Sequence, residues 1–135
     1  MKAVNPRGLL QVVMEELMEQ KKVELVDDVF HPDFLNHNPA PGYPGDREGL
    51  RQFFNDLFYA FSDFRVDYTH LMMDGDHGVV RFVIQGTHTN EFMGVPGTEK
   101  QLVLPAISII RMQDGKIIER WSEQDNLEAM NQLWN

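Results

Sequence analysis

Hydrophobic residues in the first third of the chain recur at helical spacing. A helix is predicted from Asn5, a suitable N-cap before proline, to about residue 21. The face that it would bury contains Leu10, Val13, Met14 and Leu17. A second, short helical segment is predicted over residues 23–30. Pro32 would end it, because the residue before a proline avoids the helical region. A short extended segment is then expected over residues 33–39.

The strongest helical pattern lies between residues 46 and 61. Asp46 is a plausible N-cap for this helix, and residues 39–45 before it form a proline- and glycine-rich loop. The apolar face consists of Leu50, Phe53, Phe54, Leu57, Phe58 and Phe61. Burying each such side chain is worth roughly 1.5–3 kcal/mol before entropy is subtracted. This helix is therefore expected to lie on a large apolar surface.

From residue 64 onward the pattern changes to the alternation of strands. It predicts strands over 64–73, 78–89, 100–112 and 116–125, with an exposed turn or lip at 90–99 and a closing helix at 126–134. Helices followed by a run of strands indicate an α+β fold, in which the helices pack on one face of a curled sheet that is antiparallel or mixed. We expect a single domain, 1–135, with a pocket at the open end of a cone.

The last predicted strand carries an unusual set of side chains. Successive residues of a strand point to opposite faces of the sheet. One face then contains Ile117, Glu119, Trp121, Glu123 and Asp125, and the other contains Ile118, Arg120, Ser122 and Gln124. Because a packed core would place aliphatic residues on the first face, we interpret its carboxylates and its tryptophan as the lining of a cavity.

Composition narrows the choice of partners. The 135 residues carry 12 Lys and Arg against 21 Asp and Glu, a formal net charge of −9. This balance argues against nucleic acid or an anionic membrane as the main partner, because phosphate binding needs clustered cations. The absence of cysteine excludes disulfides and thiolate chemistry. With neither a signal-peptide pattern nor a membrane span, a cytoplasmic protein is expected.

Several common kinds of site have no sequence support. The five histidines do not show the spacing of a metal site. Glycine-rich phosphate loops are absent, which argues against nucleotide binding, and the serine elbow of α/β-hydrolases is absent too.

A set of short motifs is spread over residues 8 to 134. The segments are Asn36-His37-Asn38-Pro39, the stretch from Gly49 to Phe54, Ala60-Phe61-Ser62-Asp63-Phe64, Arg81 leading to residues 86–96, Ile110-Arg111, residues 114–121, Asp125 and Gln132-Leu133. In this order they resemble the SnoaL-like polyketide cyclase family of the NTF2-like superfamily. The resemblance implies a cone with a deep apolar pocket, no metal or organic cofactor, and often homo-oligomers, dimers or tetramers. It also implies an intramolecular aldol condensation with a carboxylate as acid and base. Asp125 matches that carboxylate.

Asp125 and His37 are the catalytic candidates. Asp125 would remove a proton from a carbon between two carbonyl groups, and an apolar pocket would raise its pKa toward neutrality. Its alternative role is the N-cap of the closing helix. His37 would hydrogen-bond a substrate carbonyl or enolate oxygen at the pocket mouth, or else is held by the backbone of its loop. Asn36 beside it is a candidate for substrate binding.

The remaining candidates would bind substrate. Arg81 is predicted to point inward, as a substrate anchor or in an ion pair with Glu119, Glu123 or Asp125. His88 falls at a strand end beside the lip, as a possible ligand contact. Trp121 and Tyr68 are candidates for pocket walls, with core packing as the alternative for both. Glu119 is the last candidate for substrate binding.

Two classes of function remain open from the sequence. The first is a cofactor-free enzyme of the lyase or isomerase class that acts on a small hydrophobic carbonyl compound. Its variants are aldol cyclisation, proton transfer with Tyr68 and Glu119 or Glu123 as oxyanion donors, and epoxide hydrolysis by Arg81 and Asp125. The second is a binding or oligomerisation module without chemistry, since one fold can host both.

Overall fold

The structure is a computed structural model that describes residues 5–134. Its first helix, α1 (Pro6–Val12), continues as a π-helical turn over Val13–Met18. A 3₁₀ turn at Val23–Leu25 leads into the short α2 (Val26–Val29). The side chain of Asn5 accepts a hydrogen bond of 2.7 Å from the amide of Gly8, so the predicted N-cap is present.

The phenylalanine-rich helix is α3 (Arg47–Ala60), and the closing helix is α4 (Asn126–Trp134). Asp46 caps α3 by accepting a hydrogen bond of 2.8 Å from the amide of Gly49. A Cβ atom at Gly49 would lie 2.1 Å from the carbonyl oxygen of Pro44, so only glycine lets the proline-rich loop rest on this helix.

Five strands of the described chain form one curved, open sheet, in the order β1-β5-β4-β3-β2. They are β1 (Phe30–Asn36), β2 (Arg65–Asp74), β3 (His77–Thr87), β4 (Gln101–Gln113) and β5 (Lys116–Gln124). The four predicted strands are present, and the α+β prediction is confirmed. The sequence did not predict that the chain is already extended at Phe30, where β1 starts and pairs in parallel with β5. Pro32 is tolerated there because β1 is an edge strand.

One apolar core lies between the helices and the inner face of the sheet. The inner side chains of β4 alternate with exposed ones, from Leu102 through Ala106 to Ile110. Two residues of the N-terminal helical segment, Leu9 and Leu17, have no exposed area. No helix among residues 5–134 is long and apolar enough to cross a bilayer.

A bulge in β5 decides which side chains of that strand face the core. Arg111 of β4 pairs with Glu119, but the next residue, Met112, pairs with Ile117, so Ile118 is an extra residue in the ladder. An extra residue inverts the alternation of side chains beyond it. Ile117 therefore faces inward as predicted, whereas Glu119, two positions later, faces outward.

Candidate active site

A cavity of about 100 Å³ lies between the N-terminal helical segment, α3 and the inner face of the sheet. That volume is several times the roughly 10–15 Å³ that one water needs. Most of the wall is aliphatic or aromatic, from Leu10, Val13, Met14, Met18, Phe30, Leu50, Phe53, Phe54, Leu57, Val80, Phe82, Ile84, Ile110 and Ile117. The loop at residues 39–44 contributes to the wall as well. Such a wall suits an apolar small molecule.

Polar side chains of the wall are concentrated on β5 and its neighbours. The inverted alternation after the bulge brings Arg120, Ser122 and Gln124 to the cavity. Ser108 of β4 lies directly opposite Ser122, and Asn36 of β1 lies opposite Arg120. The cavity thus has one polar wall that can donate hydrogen bonds to a ligand.

Arg120 is the cation of this wall. Its guanidinium donates one long hydrogen bond, 3.3 Å, to the side-chain oxygen of Asn36. That oxygen also accepts a bond of 3.0 Å from the amide of Asn38. No Asp or Glu carboxylate of the described chain lies within ion-pairing distance of Arg120. Burial lowers its pKa to about 10, so the side chain remains a cation at neutral pH.

Ser108 presents a second unsatisfied group. The residue is 4% exposed, and its hydroxyl oxygen has no hydrogen-bond partner among the described residues. A buried hydroxyl without a partner costs free energy, because it has lost its bonds to water. Its cross-strand neighbour Ser122 donates its backbone amide to the side chain of Asn38, at 2.9 Å.

Tyr43 and Asp56 stand at the rim. Tyr43 lines the cavity, and its hydroxyl donates a hydrogen bond of 2.5 Å to the carboxylate of Asp56 on α3. Burial, together with this bond, raises the pKa of Tyr43. The contact joins the proline-rich loop to α3.

The predicted acidic lining lies on the outer face of the sheet instead. Glu119 accepts hydrogen bonds from Arg111 at 2.5 Å and from the ring of His37 at 2.9 Å, and these two bonds lower its pKa. The His37 ring stacks on Trp121 with centroids 4.8 Å apart, and His77 lies on the same tryptophan. The prediction that this face of β5, with Glu119 and Trp121, lines the cavity is wrong, because the bulge turns it outward. The role of His37 at the pocket mouth stays a prediction.

Asp125 is also outside the cavity. It follows the last residue of β5, is exposed, and accepts a hydrogen bond of 3.0 Å from the amide of Glu128. It therefore caps α4, which was the alternative role. The expected placement in an apolar pocket is wrong, since Gln124 occupies the inward position before it.

Three further candidates lie away from the cavity. Arg81 is on the outer face of β3, where its guanidinium donates to Thr69 at 3.3 Å and pairs with none of the predicted carboxylates. His88 is fully buried against Phe61, and its Nδ1 atom contacts the hydroxyl of Thr98 at 3.0 Å. Its place in the core keeps it from a ligand in the cavity.

The hydroxyl of Tyr68 is used by the N-terminal helical segment. It donates to Glu15 at 2.5 Å, which raises the pKa of Tyr68. Of the eight site candidates from the sequence, the structure places Asn36 alone in the cavity wall.

The sequence prediction missed Arg120, Ser108 and Ser122. A signal for Ser108 was available: it interrupts the buried apolar alternation of the third predicted strand, between Ala106 and Ile110. A polar residue at an inward position without a polar neighbour in sequence is typical of a ligand contact. Arg120 gave no comparable signal, because its face depends on the bulge. No group of three metal-ligating side chains was found among residues 5–134.

Comparison with known proteins agrees with this architecture. The family model described as SnoaL-like polyketide cyclase matches residues 8–133. Nogalonic acid methyl ester cyclase of Streptomyces nogalater is 26% identical over 116 residues, which cover 81% of this chain and 85% of that protein.

Solved structures give the same result. IdmH of Streptomyces antibioticus is 28% identical, with a TM-score of 0.77 and coverage of 94% of this chain and 96% of its own. TsrD of Streptomyces laurentii, at 22% identity, superposes with a TM-score of 0.82 over 93% and 92% of the two chains, which shows a shared fold.

Proposed function

We propose, on the premise that this chain belongs to the SnoaL-like polyketide cyclase family, that it is a cofactor-independent cyclase or isomerase acting on an enolisable carbonyl compound. The observation that carries the proposal is an apolar cavity whose hydrogen-bond donors stand on one wall. The relatives supply the reaction class, since one is a methyl ester cyclase by name.

The wall suits the charges that develop in an aldol cyclisation. A carbon between two carbonyl groups loses a proton and becomes an enolate. That carbon then bonds to a second carbonyl carbon of the same molecule, whose oxygen becomes an alkoxide and takes up a proton. Both intermediates carry negative charge on oxygen. Arg120 and the hydroxyl of Ser108 can donate to that oxygen, and one preorganised donor of this kind contributes about 10²–10³ in rate.

The apolar walls contribute by holding the substrate folded. Intramolecular bond formation is fast only when the two reacting carbons are kept in contact. The side chains of α3 and β3 that line the cavity can enforce such a conformation and limit the entry of water. A relative without these walls would bind the same carbonyl groups without orienting them.

The proton acceptor distinguishes two mechanisms. Among residues 5–134, none of the side chains that line the cavity is Asp, Glu or His. We therefore assign the role of base to water at the rim, which would accept the proton from the substrate carbon. The cavity would then contribute by orienting the substrate and by stabilising the oxyanion. The alternative is Asp125 as the base, which requires its carboxylate to leave the amide of Glu128 and turn past Gln124. Under the first mechanism Asp125→Asn keeps turnover within threefold; a loss of a hundredfold or more would establish the second.

Two adjacent valines of β3 provide the main experiment. Val80 lines the cavity with no exposed area, whereas the side chain of Val79 lies on the outer face. Turnover of a panel of 1,3-dicarbonyl compounds is measured for the wild type, Val80→Phe and Val79→Phe. We expect Val80→Phe to lose at least a hundredfold and Val79→Phe to lose less than threefold. Equal activities of the two variants would contradict catalysis in this cavity.

A binding module without chemistry is the second candidate. The observation that favours it is the same absence of an acid or histidine from the lining residues. It predicts that the wild type binds members of the dicarbonyl panel but turns over none of them. Calorimetric binding that Val80→Phe abolishes, with no product detected by mass spectrometry, would establish this candidate over the enzyme.

The homo-oligomer implied by the family resemblance has a candidate surface, the outer face of β4. Val103, Ile107 and Ile109 are 48%, 45% and 40% exposed there. In the sheet Ile107 has Arg81 on one side and Glu123 on the other. A two-fold axis that lies in the interface, parallel to β4 at Ile107, would place each arginine over the glutamate of a second copy, so the surface can be complementary to itself.

Sedimentation velocity tests this partner. We expect a dimer for the wild type, a monomer for Ile107→Glu and a dimer for Leu127→Glu, which changes an exposed leucine of α4 in the same way. A monomeric wild type at tens of micromolar, or a dimer that survives Ile107→Glu, would contradict the surface.

A further inference from the structure

Arg120 and Ser108 lie on the same polar wall of the cavity and are not hydrogen-bonded to each other. Ser108 lies opposite Ser122, and Arg120 is two residues before Ser122 on the same face of β5. The diagonal neighbours of a sheet lie roughly 7–8 Å apart at the backbone, within reach of one ligand group for a side chain as long as arginine. Both donors therefore belong to the same cavity wall, with Ser108 on β4 and the guanidinium of Arg120 bonded to Asn36 of β1, on the other side of β5.

This region lacks the partner that its chemistry requires. A buried guanidinium is normally paired with a carboxylate, because removing a charge from water is costly. The guanidinium of Arg120 donates a hydrogen bond of 3.3 Å to the side-chain oxygen of Asn36. The hydroxyl of Ser108 has no hydrogen-bond partner within the described chain. Elsewhere Arg111 bonds Glu119, and Arg51 bonds both Asp27 and Glu48.

We propose that Arg120 and Ser108 form a subsite for a carboxylate group of the substrate. A planar carboxylate accepts two parallel N–H bonds from a guanidinium, one on each oxygen. A remaining lone pair on one of these oxygens can accept a hydrogen bond from the hydroxyl of Ser108. The substrate class is thus an apolar carbonyl compound with a free acid. A guanidinium has five N–H donors, so the donors of Arg120 that the carboxylate leaves free can still meet the enolate oxygen of the proposed reaction. This differs from the methyl ester in the name of the Streptomyces nogalater relative, because an ester carries no charge at that group.

The inference rests on the proposed function for the location of the substrate, but not for its turnover. A carboxylate is present in the bound ground state, whereas an enolate forms during the reaction. Binding of unreactive acids therefore tests the subsite without any catalytic step. If Arg120 meets only an enolate, acids and esters will bind alike and only turnover will respond to its replacement.

Calorimetry with matched acids and methyl esters is the experiment. The probes are benzoate, salicylate, 2-naphthoate and octanoate, each compared with its methyl ester at pH 7. We expect the wild type to bind at least one acid tenfold to a hundredfold more tightly than its ester, the range for a charged hydrogen-bonded pair. Arg120→Gln should remove that preference, and Arg120→Lys should retain part of it, because lysine keeps the charge but not the planar pair of donors.

Arg65→Gln is the matched control, because it removes the same charge from an exposed position on β2. It should keep the wild-type preference for acids. Ser108→Ala should reduce the preference about threefold to tenfold. Thermal unfolding is recorded for every variant, so that loss of binding is read only from folded protein, and Arg120→Lys stands in should Arg120→Gln not fold.

The outcomes separate the two proposals. Equal affinity for acids and esters in the wild type, or a preference for acids that persists in Arg120→Gln, overturns the carboxylate subsite. A preference for acids that depends on Arg120, with no turnover of any dicarbonyl compound, supports the subsite and removes the enzyme proposal alone.

Discussion

The two faces of β5 differ in whether their charged side chains are paired. On the outer face Glu119 is held by Arg111 and His37, so its charge is balanced within the chain. On the inner face Arg120 has no carboxylate partner among the described residues, although it is the more buried environment that makes a lone charge costly. A charge that is satisfied contributes to stability, whereas one that is unsatisfied in a cavity is available to a ligand. This difference in charge pairing favours the inner face of β5 as the ligand-binding face, whereas the sequence pattern had favoured the outer face.

The largest effect is expected from supplying the missing carboxylate. Ser108→Asp would place an acid beside Arg120 and occupy its donors from within the chain. We expect the affinity for 2-naphthoate to fall at least a hundredfold, measured by calorimetry. Ile109→Asp, one residue along and on the outer face, should change it less than twofold. Unchanged binding in Ser108→Asp would mean that the two side chains do not meet.

A smaller effect is expected from breaking the outer network. Glu119→Gln removes the charge that both Arg111 and His37 contact, at a side chain that is 21% exposed. We expect a loss of about 1 kcal/mol in the free energy of unfolding, measured by urea denaturation at pH 7, because the pair is partly screened by solvent. Ligand affinity should stay within twofold. A large loss of affinity with unchanged stability would instead assign Glu119 to the site.

Loss of the helix cap at Asp125 should lower the free energy of unfolding slightly less than Glu119→Gln does. Asp125→Ala removes the acceptor for the amide of Glu128, and we expect a loss of about 0.5–1 kcal/mol by the same denaturation method. Asp125→Asn should be nearly neutral, since asparagine caps equally well. If the Asn variant lost as much stability as the Ala variant, the carboxylate would have a role beyond the cap.

The smallest effect concerns pH. The folded pKa of Glu119 is lowered by its bonds to His37 and Arg111, from an ordinary value of 4.5. A lowered carboxyl pKa contributes stability above the unfolded value, and this contribution is lost as pH falls through the folded value. The gap in unfolding free energy between the wild type and Glu119→Gln should therefore narrow as pH falls from about 4.5 to 3. A gap that widened over that range would contradict the assigned direction.

The sequence determined most of the fold by itself. Periodicity placed α3, α4 and strands β2 to β5 within one or two residues, because each buries one face against the core and must alternate at a fixed spacing. An extended segment was predicted only from residue 33, and residues 23–30 were predicted to be helical. The start of β1 at Phe30 and its parallel pairing with β5 were missed, because that pairing joins distant parts of the chain. Family membership also followed from motifs in the sequence.

The composition of the site was decided by tertiary structure. The extra residue Ile118 inverts the alternation of β5 beyond the bulge. As a result Arg120 and Ser122 face the cavity, and Glu119 and Trp121 face outward. Strict alternation carries no information about where a ladder slips, since that depends on the pairing partners of both strands. The sequence could state which residues alternate; only the packed sheet could decide which of the two sets faces the cavity.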